Sequence, residues 1–320
     1  GSEDDDQSVA SVIQNITLIN GSASGGGGDG IGDGGAAFIQ SASPTFRNCL
    51  FEYNDAFDEG GAIYAWQSSP IIDGCIFRSN TAGSKGGAIS AVNGSILTVT
   101  TSSTFSDNSS NGYGGAISMD GSTAVIEDSD FSSNSAAERG GAMFLWNTDP
   151  VINDCDFTDN SANNGGGIYC NDGDSQIDDC QFTGNSGDGG GIQFQGGTAQ
   201  IVNTDFRDND TGNGGGDGGG IYNWGGSITV TDCEFTGNQA ADQGGGFFQG
   251  VNSVVFNSCE MTNNSAVFGG GIENYLGSVE LNDSTICGNQ PNQVSGSFTN
   301  DGNSYIEDNC DNSLYSTWLN

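Results

Sequence analysis

Carboxylates are the chemically capable side chains that recur most regularly in this sequence. From the middle of the chain onward, they return at two neighbouring positions with a period of about 26 residues. These positions are occupied by Asp128, Asp130, Asp154, Asp156, Asp179, Asp205, Asp232 and Glu234. Stacked like charges are destabilising unless they are solvated or neutralised, and calcium accepts oxygen ligands in a flexible arrangement. We therefore predict these residues as candidate Ca2+ ligands, with a solvated acidic surface as the alternative.

Catalytic groups are few in this sequence. It contains no histidine, which excludes Ser-His and Cys-His nucleophile pairs. Inverting glycoside hydrolysis needs only two carboxylates about 6.5–9.5 Å apart, but acidic columns provide such pairs everywhere. A polysaccharide lyase needs clustered basic residues, and Arg207 has no basic neighbour in its own or the adjoining repeats. We predict a non-catalytic protein, with a carbohydrate-active enzyme, either a polysaccharide lyase or a hydrolase, as the alternative.

Aromatic residues recur close to a glycine-rich motif and are candidates for stacking on sugar rings. Tyr64 and Tyr169 each follow the apolar residue of that motif by one position, and a strand would turn them outward. Trp66, Trp146 and Trp224 each follow it by three positions. We predict these five residues as a carbohydrate-binding set, although packing between neighbouring repeats explains them equally well.

The nine cysteines divide into two groups. Six of them occupy the same position of the repeat and are predicted to be small buried thiols, although adjacent pairs would be close enough to cross-link. They are Cys49, Cys75, Cys155, Cys180, Cys233 and Cys259. Cys287 and Cys310 enclose a polar segment that has little to bury, so we predict a disulfide between them. Cys170 lies off the common position and is expected to be unpaired.

The charge balance is strongly acidic, and it limits the partners of the chain. Asp and Glu number 41 against five Lys and Arg, which gives a net charge of −36. Nucleic acids and anionic membranes require clustered basic residues, so neither is expected as a partner. No apolar run approaches the ~20 residues of a membrane span. We expect a monomer that binds a surface glycan or a protein receptor, with calcium as its only expected cofactor.

The elements that position these residues follow from two landmarks with one period. The first landmark is Gly-Gly-x-apolar, in which the apolar residues are Ile63, Ile89, Ile117, Met143, Ile168, Ile192, Ile221, Phe247 and Ile272. Their spacings are 26, 28, 26, 25, 24, 29, 26 and 25 residues. The second landmark is Phe-x-x-Asn, which begins at Phe51, Phe77, Phe105, Phe131, Phe157, Phe182, Phe206 and Phe235. A short period built from β-branched and aromatic residues with glycine turns predicts one coil of a β-solenoid.

Side-chain parity within one coil predicts the interior. Cys155 and Phe157 are two residues apart and face the same way, which leaves Asp156 outside. Ile152, three residues before the cysteine, also faces in, so the chain must turn a corner near Asp154. Equivalent residues of successive coils then lie ~4.8 Å apart, which predicts a phenylalanine stack, an asparagine ladder and a rod of roughly 50 Å. The predicted fold is all-β: a single right-handed parallel β-helix of about ten coils of ~26 residues.

The predicted domain boundaries follow the two landmarks. Residues 1–14 are expected to be disordered or derived from a tag, residues 15–289 to form the parallel β-helix, and residues 290–320 to form a C-terminal cap. A first coil is expected around Asn15 to Phe38, ahead of the first complete repeat.

The paired motifs Gly-Gly-Ala-Ile/Met and Phe-x-x-Asn resemble the repeats of the polymorphic outer-membrane proteins and of related bacterial β-helix proteins. The resemblance covers about residues 46–289 and is more specific for architecture than for activity. It implies export, an extracellular or cell-surface location, and a role in adhesion. The autotransporters of that family end in a membrane β-barrel, whereas this sequence ends at Trp318-Leu319-Asn320, so the resemblance does not say how the chain would be anchored.

Overall fold

The chain winds into stacked coils of β-strands. The computed structural model describes residues 11–25, 32–212 and 215–310. The regular secondary structure within these ranges consists of β-strands. The strands form three sheets of 22, seven and eleven strands, and each strand pairs in parallel with the equivalent strand of the next coil. About ten coils follow one another, as the sequence predicts.

The largest sheet, here called the bent sheet, contributes two strands per coil with a corner between them. Its first-half strands are Val12–Gln14, Thr45–Arg47, Ile71–Asp73, Ile96–Thr100, Asp174–Asp178, Thr198–Val202, Ser227–Thr231, Ser253–Asn257, Ser278–Asn282 and Phe298–Asn300. Its second-half strands are Thr17–Ile19, Leu50–Glu52, Ile76–Arg78, Ser103–Ser106, Gln181–Thr183, Asp205–Arg207, Glu234–Thr236, Glu260–Thr262, Thr285–Cys287 and Tyr305–Glu307. Thr123–Ser132 and Asp149–Thr158 run through the corner as single strands.

The two other sheets complete each coil. The short-strand sheet contains Ser22–Ala23, Asp55–Ala56, Thr81–Ala82, Ser109–Ser110, Ser135–Ala136, Ser161–Asn164 and Ser186–Asp188. The glycine-led sheet follows the Gly-Gly turns and contains Ala37–Gln40, Ile63–Trp66, Ile89–Val92, Ile117–Asp120, Met143–Trp146, Ile168–Asn171, Ile192–Phe194, Ile221–Asn223, Phe247–Gln249, Ile272–Asn274 and Val294–Ser295.

Phenylalanine rings form a continuous stack inside the bent sheet. The eight rings from Phe51 to Phe235 are fully buried, and neighbouring ring centroids lie 4.5–5.0 Å apart with planes within 9°. In-register parallel pairing places each ring directly above the last, since the residues are direct strand neighbours. Met261 and Ile286 continue the column without rings. The predicted stack is confirmed.

The buried asparagines form a ladder beside the rings, as predicted. Asn134 Nδ2 donates to Asn160 Oδ1 at 3.0 Å and to the Phe105 carbonyl at 2.9 Å. Its Oδ1 accepts from the backbone N–H of Asn108 at 3.1 Å. The same bonds recur from Asn54 to Asn289, where Gln293 ends the ladder. Each carboxamide satisfies backbone groups that a buried turn would otherwise leave unpaired.

The predicted corner is built from left-handed backbone and from small donors. Asp128 has φ 47° and Asp154 has φ 53°, a conformation that Asp and Asn tolerate better than most residues. One residue further on, a thiol or hydroxyl donates to the carbonyl two residues earlier, as Ser129 Oγ does to Glu127 at 2.8 Å and Cys155 Sγ to Asn153 at 3.2 Å. The six cysteines of the common repeat position are buried and form no disulfides, and they lie at the same corner position as Ser129.

The Gly-Gly turns lead the chain into the glycine-led sheet. Gly60 has φ +66°, and a Cβ on Gly61 would lie 2.0 Å from the Gly87 carbonyl oxygen of the next coil. The first glycine is therefore needed for its backbone conformation and the second for close stacking of the coils.

The coils extend further at both ends than residues 15–289. The first strand among the described residues begins at Val12, and the strands Val294–Ser295, Phe298–Asn300 and Tyr305–Glu307 pair onto the preceding coil. A disulfide joins Cys287 to Cys310 with an Sγ–Sγ distance of 2.05 Å. The expectations for residues 1–10 and 311–320 lie outside the described residues.

Candidate functional site

The predicted calcium ligands lie on the outer surface of the bent sheet in two columns. Asp128, Asp154, Asp179 and Asp232 occupy the exposed corner column. In the neighbouring column, Asp130 is in register with Asp156. Asp205 is in register with Glu234 further along, and Gln181 interrupts the column between the two pairs. The eight residues therefore form two separate acidic groups along the rod.

The first acidic group shows mutual repulsion between carboxylates. Partial burial raises the pKa of Asp156, and the carboxylates of Asp130 and Asp154 raise it further. Within residues 11–25, 32–212 and 215–310, no three His, Cys, Asp or Glu side chains are arranged to hold a metal ion. Any calcium at Asp130 and Asp156 would therefore take most of its ligands from water, which calcium accepts.

The second acidic group contains a cation of the chain itself. Arg207 Nη2 lies 3.0 Å from Asp205 Oδ2 and 2.5 Å from Glu234 Oε2. The guanidinium bridges two carboxylates that neighbouring strands would otherwise leave facing each other. Arg207 therefore serves as an ion-pair partner at this position, and Asp205 and Glu234 are both occupied by it.

Tyr64 and Tyr169 point outward as predicted, but both rings are covered. Both side chains leave the coil wall on its outer side, but they are only 5% and 3% exposed. Tyr64 stacks on Phe38 at 5.3 Å, and Tyr169 contacts both the ring of Phe144 and the guanidinium of Arg139. Neighbouring coils and the adjacent turns cover both rings, so neither can stack on a sugar.

The three predicted tryptophans are accessible. Trp66 and Trp146 are each 36% exposed and Trp224 is 41% exposed. Trp66 and Trp146 occupy the same position of the glycine-led sheet three coils apart, with Val92 and Asp120 between them. Their separation along the rod is about 14 Å, from a rise of ~4.8 Å per coil.

Cys75, Cys155 and Cys170 are poor nucleophiles. Burial raises the pKa of the Cys75 thiol to about 11 and that of the Cys170 thiol to about 12. The pKa of Cys155 is raised by its contact with Cys180 and by burial. A thiol must ionise to attack, so these side chains serve the corner and the core instead.

Sequence reasoning missed two stacked columns on the outside of the glycine-led sheet, here together called the trough, in which an outer rim column packs over a largely buried floor column. Its rim is the residue before each Gly-Gly: Glu59, Lys85, Tyr113, Arg139, Asn164, Asp188, Asp217, Gln243 and Phe268. Its floor is the residue after each buried apolar landmark: Tyr64, Ser90, Ser118, Phe144, Tyr169, Gln193, Tyr222, Phe248 and Glu273. The fixed offset of both columns from Gly-Gly was the available signal.

The rim contacts the floor of the following coil. Ser90 Oγ donates to Glu59 Oε2 at 2.8 Å, and Lys85 Nζ lies 3.3 Å from Glu59 Oε1. Further along, the ring of Tyr113 stacks on Phe144 at 4.8 Å. Arg139 then places its guanidinium 5.8 Å and 5.1 Å from the ring centroids of Tyr113 and Tyr169. In the N-terminal half of the trough, Lys85 and Arg139 therefore supply positively charged groups that contact the side chains around them.

Comparison with known proteins defines the class. Residues 61–227, just over half of the chain, match the family described as the right-handed β-helix region. With the parallel coils described above, this match shows that the chain belongs to that family and is a right-handed β-solenoid. No curated protein and no solved structure matches the chain. Among the described residues there is no helix long and apolar enough to cross a membrane.

Proposed function

We propose that this β-helix is a non-catalytic binding and scaffold module that acts outside the cell or on its surface. The observation that carries the proposal is the display of Trp66 and Trp146 at one repeat position on a rigid rod. Indole rings that are partly exposed on a regular surface are suited to stacking on sugar rings or to packing against a receptor. The ligand is expected to be a surface glycan or a protein receptor.

Two further features support an extracellular role. The Cys287–Cys310 disulfide is of the kind that persists in oxidising compartments. The net charge of −36 keeps a repetitive β-protein soluble. The resemblance to polymorphic outer-membrane proteins points in the same direction and adds adhesion to the proposal.

Glycan-array binding of the full chain tests the proposal. We expect Trp66→Ala with Trp146→Ala to lower the retained signal by about tenfold, because the double variant removes two of the three exposed indole rings of the described residues. Phe57→Ala is the matched control, since Phe57 is 61% exposed and lies outside the tryptophan column. Equal binding by the double variant and the control would contradict a role for the tryptophans.

A carbohydrate-active enzyme is the second candidate, and the pair Asp130 and Asp156 favours it. The β-helix fold occurs in binding modules and in carbohydrate-active enzymes, so fold alone does not choose between them. Two neighbouring carboxylates, one of them with a raised pKa, are the arrangement that hydrolases use as acid and base. Reducing-end release from a panel of acidic and neutral polysaccharides, lost in Asp156→Asn and kept in Asp107→Asn, would establish this function.

We also propose that calcium associates with the acidic face of the bent sheet. The corner column and the pair Asp130 and Asp156 bring carboxylates of successive coils together, and a divalent cation would relieve their repulsion. Calcium would then act on stability rather than on chemistry.

A further inference from the structure

Asparagine-glycine dipeptides place the same reactive pair of groups in several different surroundings on the rod. Those within the described residues are Asn20–Gly21, Asn93–Gly94, Asn111–Gly112 and Asn164–Gly165. Because glycine has no Cβ, its backbone nitrogen can approach the carboxamide of the preceding asparagine more freely than that of any other residue. Attack of this nitrogen on the asparagine Cγ is the first step of deamidation. The dipeptide itself does not distinguish the four positions, so the contacts around each one must.

In three of the four dipeptides, a hydrogen bond to the neighbouring coil holds the glycine N–H. The donor and acceptor pairs are Gly21 N–H with Asn54 Oδ1 at 2.9 Å, Gly94 N–H with the Gly121 carbonyl at 2.9 Å, and Gly165 N–H with the Asp188 carbonyl at 2.6 Å. Each nitrogen is thereby directed at an oxygen of the next coil. It can attack the asparagine side chain only after this hydrogen bond has been broken.

The fourth dipeptide, Asn111–Gly112, lacks this protection. The Gly112 N–H donates to no acceptor among the described residues, and the exposed Asn111 side chain makes no hydrogen bond to them. The residues on either side of the Gly112 nitrogen are nevertheless fixed to the preceding coil. Asn111 N–H donates to the Ala82 carbonyl at 3.1 Å, and Tyr113 N–H donates to the Ser84 carbonyl at 3.0 Å. The nucleophilic nitrogen and the carboxamide therefore stay adjacent, with no competing hydrogen bond at either group.

We propose that Asn111 is a modification site at which the folded chain deamidates. The Gly112 nitrogen forms a bond to Asn111 Cγ, and the bond from Cγ to Nδ2 breaks with release of ammonia, which leaves a succinimide ring. Water then opens the ring at either of its carbonyl carbons and gives aspartate or isoaspartate. The reaction consumes water and needs no oxidant or cofactor. It does not depend on the proposed binding function.

Isoaspartate at position 111 changes the turn that leads to the rim of the trough. The main chain then passes through the side-chain carbons, so an additional atom enters the backbone ahead of Tyr113. The Gly112 carbonyl, which follows this atom, accepts the N–H of Glu138 at 2.9 Å and that of Arg139 at 3.3 Å. Arg139 in turn contacts the rings of Tyr113 and Tyr169. The modification therefore displaces a backbone acceptor that holds Arg139 in place, and it adds a carboxylate to an already acidic surface.

Incubation of the full chain at mildly alkaline pH, followed by peptide mapping with mass spectrometry, tests the site. Asn111 should convert about tenfold faster than Asn20, Asn93 or Asn164, because each of the other three reactions must first break a hydrogen bond. Incubation in urea is the matched control, since unfolding removes those hydrogen bonds and leaves the dipeptides unchanged. The four rates should then converge. Equal rates in the folded chain, or the same preference for Asn111 in urea, would overturn the proposal.

Hydrogen exchange of the incubated chain tests the structural consequence. The amides of Glu138 and Arg139 should exchange faster after conversion, whereas those near Phe157 should be unchanged. Asn111→Gln is the matched variant, because it keeps an exposed carboxamide but lengthens the side chain and so disfavours ring closure. Its Glu138 and Arg139 amides should exchange equally slowly before and after incubation. Equal acceleration in Asn111→Gln, or slow exchange at both amides in the isoaspartate form, would contradict the inferred effect on Arg139.

Discussion

Each ladder asparagine bonds to two other coils through one side chain. Asn134 serves the backbone of Phe105 and Asn108 as well as the carboxamide of Asn160. These groups are fully buried, so water cannot replace a lost partner. A single substitution in the ladder is therefore felt in three successive coils.

Asn134→Ala should lower the free energy of unfolding by about 3 kcal/mol, because it leaves buried donors and acceptors unpaired. Urea denaturation measures the change. Asn111→Ala is the control, since Asn111 is exposed and its side chain makes no hydrogen bond to a described residue. A loss below about 1 kcal/mol in Asn134→Ala would show that the ladder is not a main source of stability.

The Asp217 carboxyl group makes the free energy of unfolding depend on pH. Its pKa is raised from 3.8 to about 6, so the folded state holds this proton more tightly than the unfolded state does. The corresponding stability is fully present below pH 3.8 and is lost as the pH rises through about 6.

Asp217→Asn should therefore be more stable than the unchanged chain at pH 8, and the difference should vanish below pH 3.8. The amide oxygen can still accept the Gln243 backbone N–H at 3.0 Å. Because the side chain is partly solvated, we expect only about 1 kcal/mol. Urea denaturation across this pH range measures the difference. A stabilisation that is constant with pH would assign it to something other than the carboxylate.

Two tyrosines show where sequence reasoning fails at this scale. Parity correctly places Tyr64 and Tyr169 on the outer side of the coil wall, because alternation along a strand is local. It does not report whether a turn of a neighbouring coil covers them. The cover over Tyr169 comes from Arg139 and Phe144, which belong to the preceding coil.

At the scale of elements, the phenylalanine column is the most repetitive contact of the bent sheet. Phe157 lies 4.9 Å from Phe131 and 4.6 Å from Phe182, so it shares a face with a ring above and a ring below. The rings line the interior of the second-half strands from Phe51 to Phe235.

Phe157→Ala should cost about 3–5 kcal/mol, because it opens a cavity inside a rigid stack. Phe157→Leu should cost less, since it retains much of the buried apolar volume. Phe57→Ala, at an exposed ring, should be close to neutral. Thermal and denaturant unfolding of the three variants provide the comparison, and similar costs for Phe57→Ala and Phe157→Ala would contradict the stack as a stabilising element.

The strands and their register could be predicted from the sequence wherever the same residue type recurs in successive coils. Phe157 and Asn160 recur in successive coils with the same identity, so their period predicts register directly. The rim of the trough varies from Glu59 to Tyr113 to Asp188, and a column without a common residue type leaves no repeat to detect. The buried position of the cysteine column was predicted correctly. That Cys155 and Ser129 play the same role, each donating a hydrogen bond at the corner, became visible only from the hydrogen bonds of the structure.

The molecule as a whole carries one sign of charge along an extended rod. At about 0.15 M salt the Debye length is ~8 Å, which is longer than the ~4.8 Å rise between coils. Carboxylates of neighbouring coils therefore repel one another even when each is individually solvated.

Added sodium chloride should raise the melting temperature, because it screens this repulsion. Calcium at equal ionic strength should raise it further, and the increment should fall in Asp130→Asn with Asp156→Asn. Magnesium should be less effective, since it demands a stricter geometry. Melting curves with calcium and with chelator measure the effect. Identical curves for calcium and sodium at matched ionic strength would remove calcium from the proposed function.

Each coil contacts only the coils next to it, so the Cys287–Cys310 disulfide is expected to stabilise only the C-terminal end of the rod. Cys310→Ser should release the strand Tyr305–Glu307 from the last coil, while the central coils keep their stability. Hydrogen exchange should therefore accelerate near Ile306 and stay slow near Phe157. Faster exchange along the entire rod would mean that the disulfide stabilises the molecule cooperatively.

In-register stacking also makes the length of the rod adjustable in whole steps. Deleting residues 105–130 would join Thr104 to Phe131 and bring Phe77 against Phe131, with the phenylalanine and asparagine columns still in register. Such a change would shorten the distance between Trp66 and Trp146 by about 4.8 Å, without redesign of the interior. Adding or removing one coil therefore changes the distance between exposed side chains such as Trp66 and Trp146 by one coil rise. A ligand with a fixed repeat length should bind the original and the altered rod with different affinities.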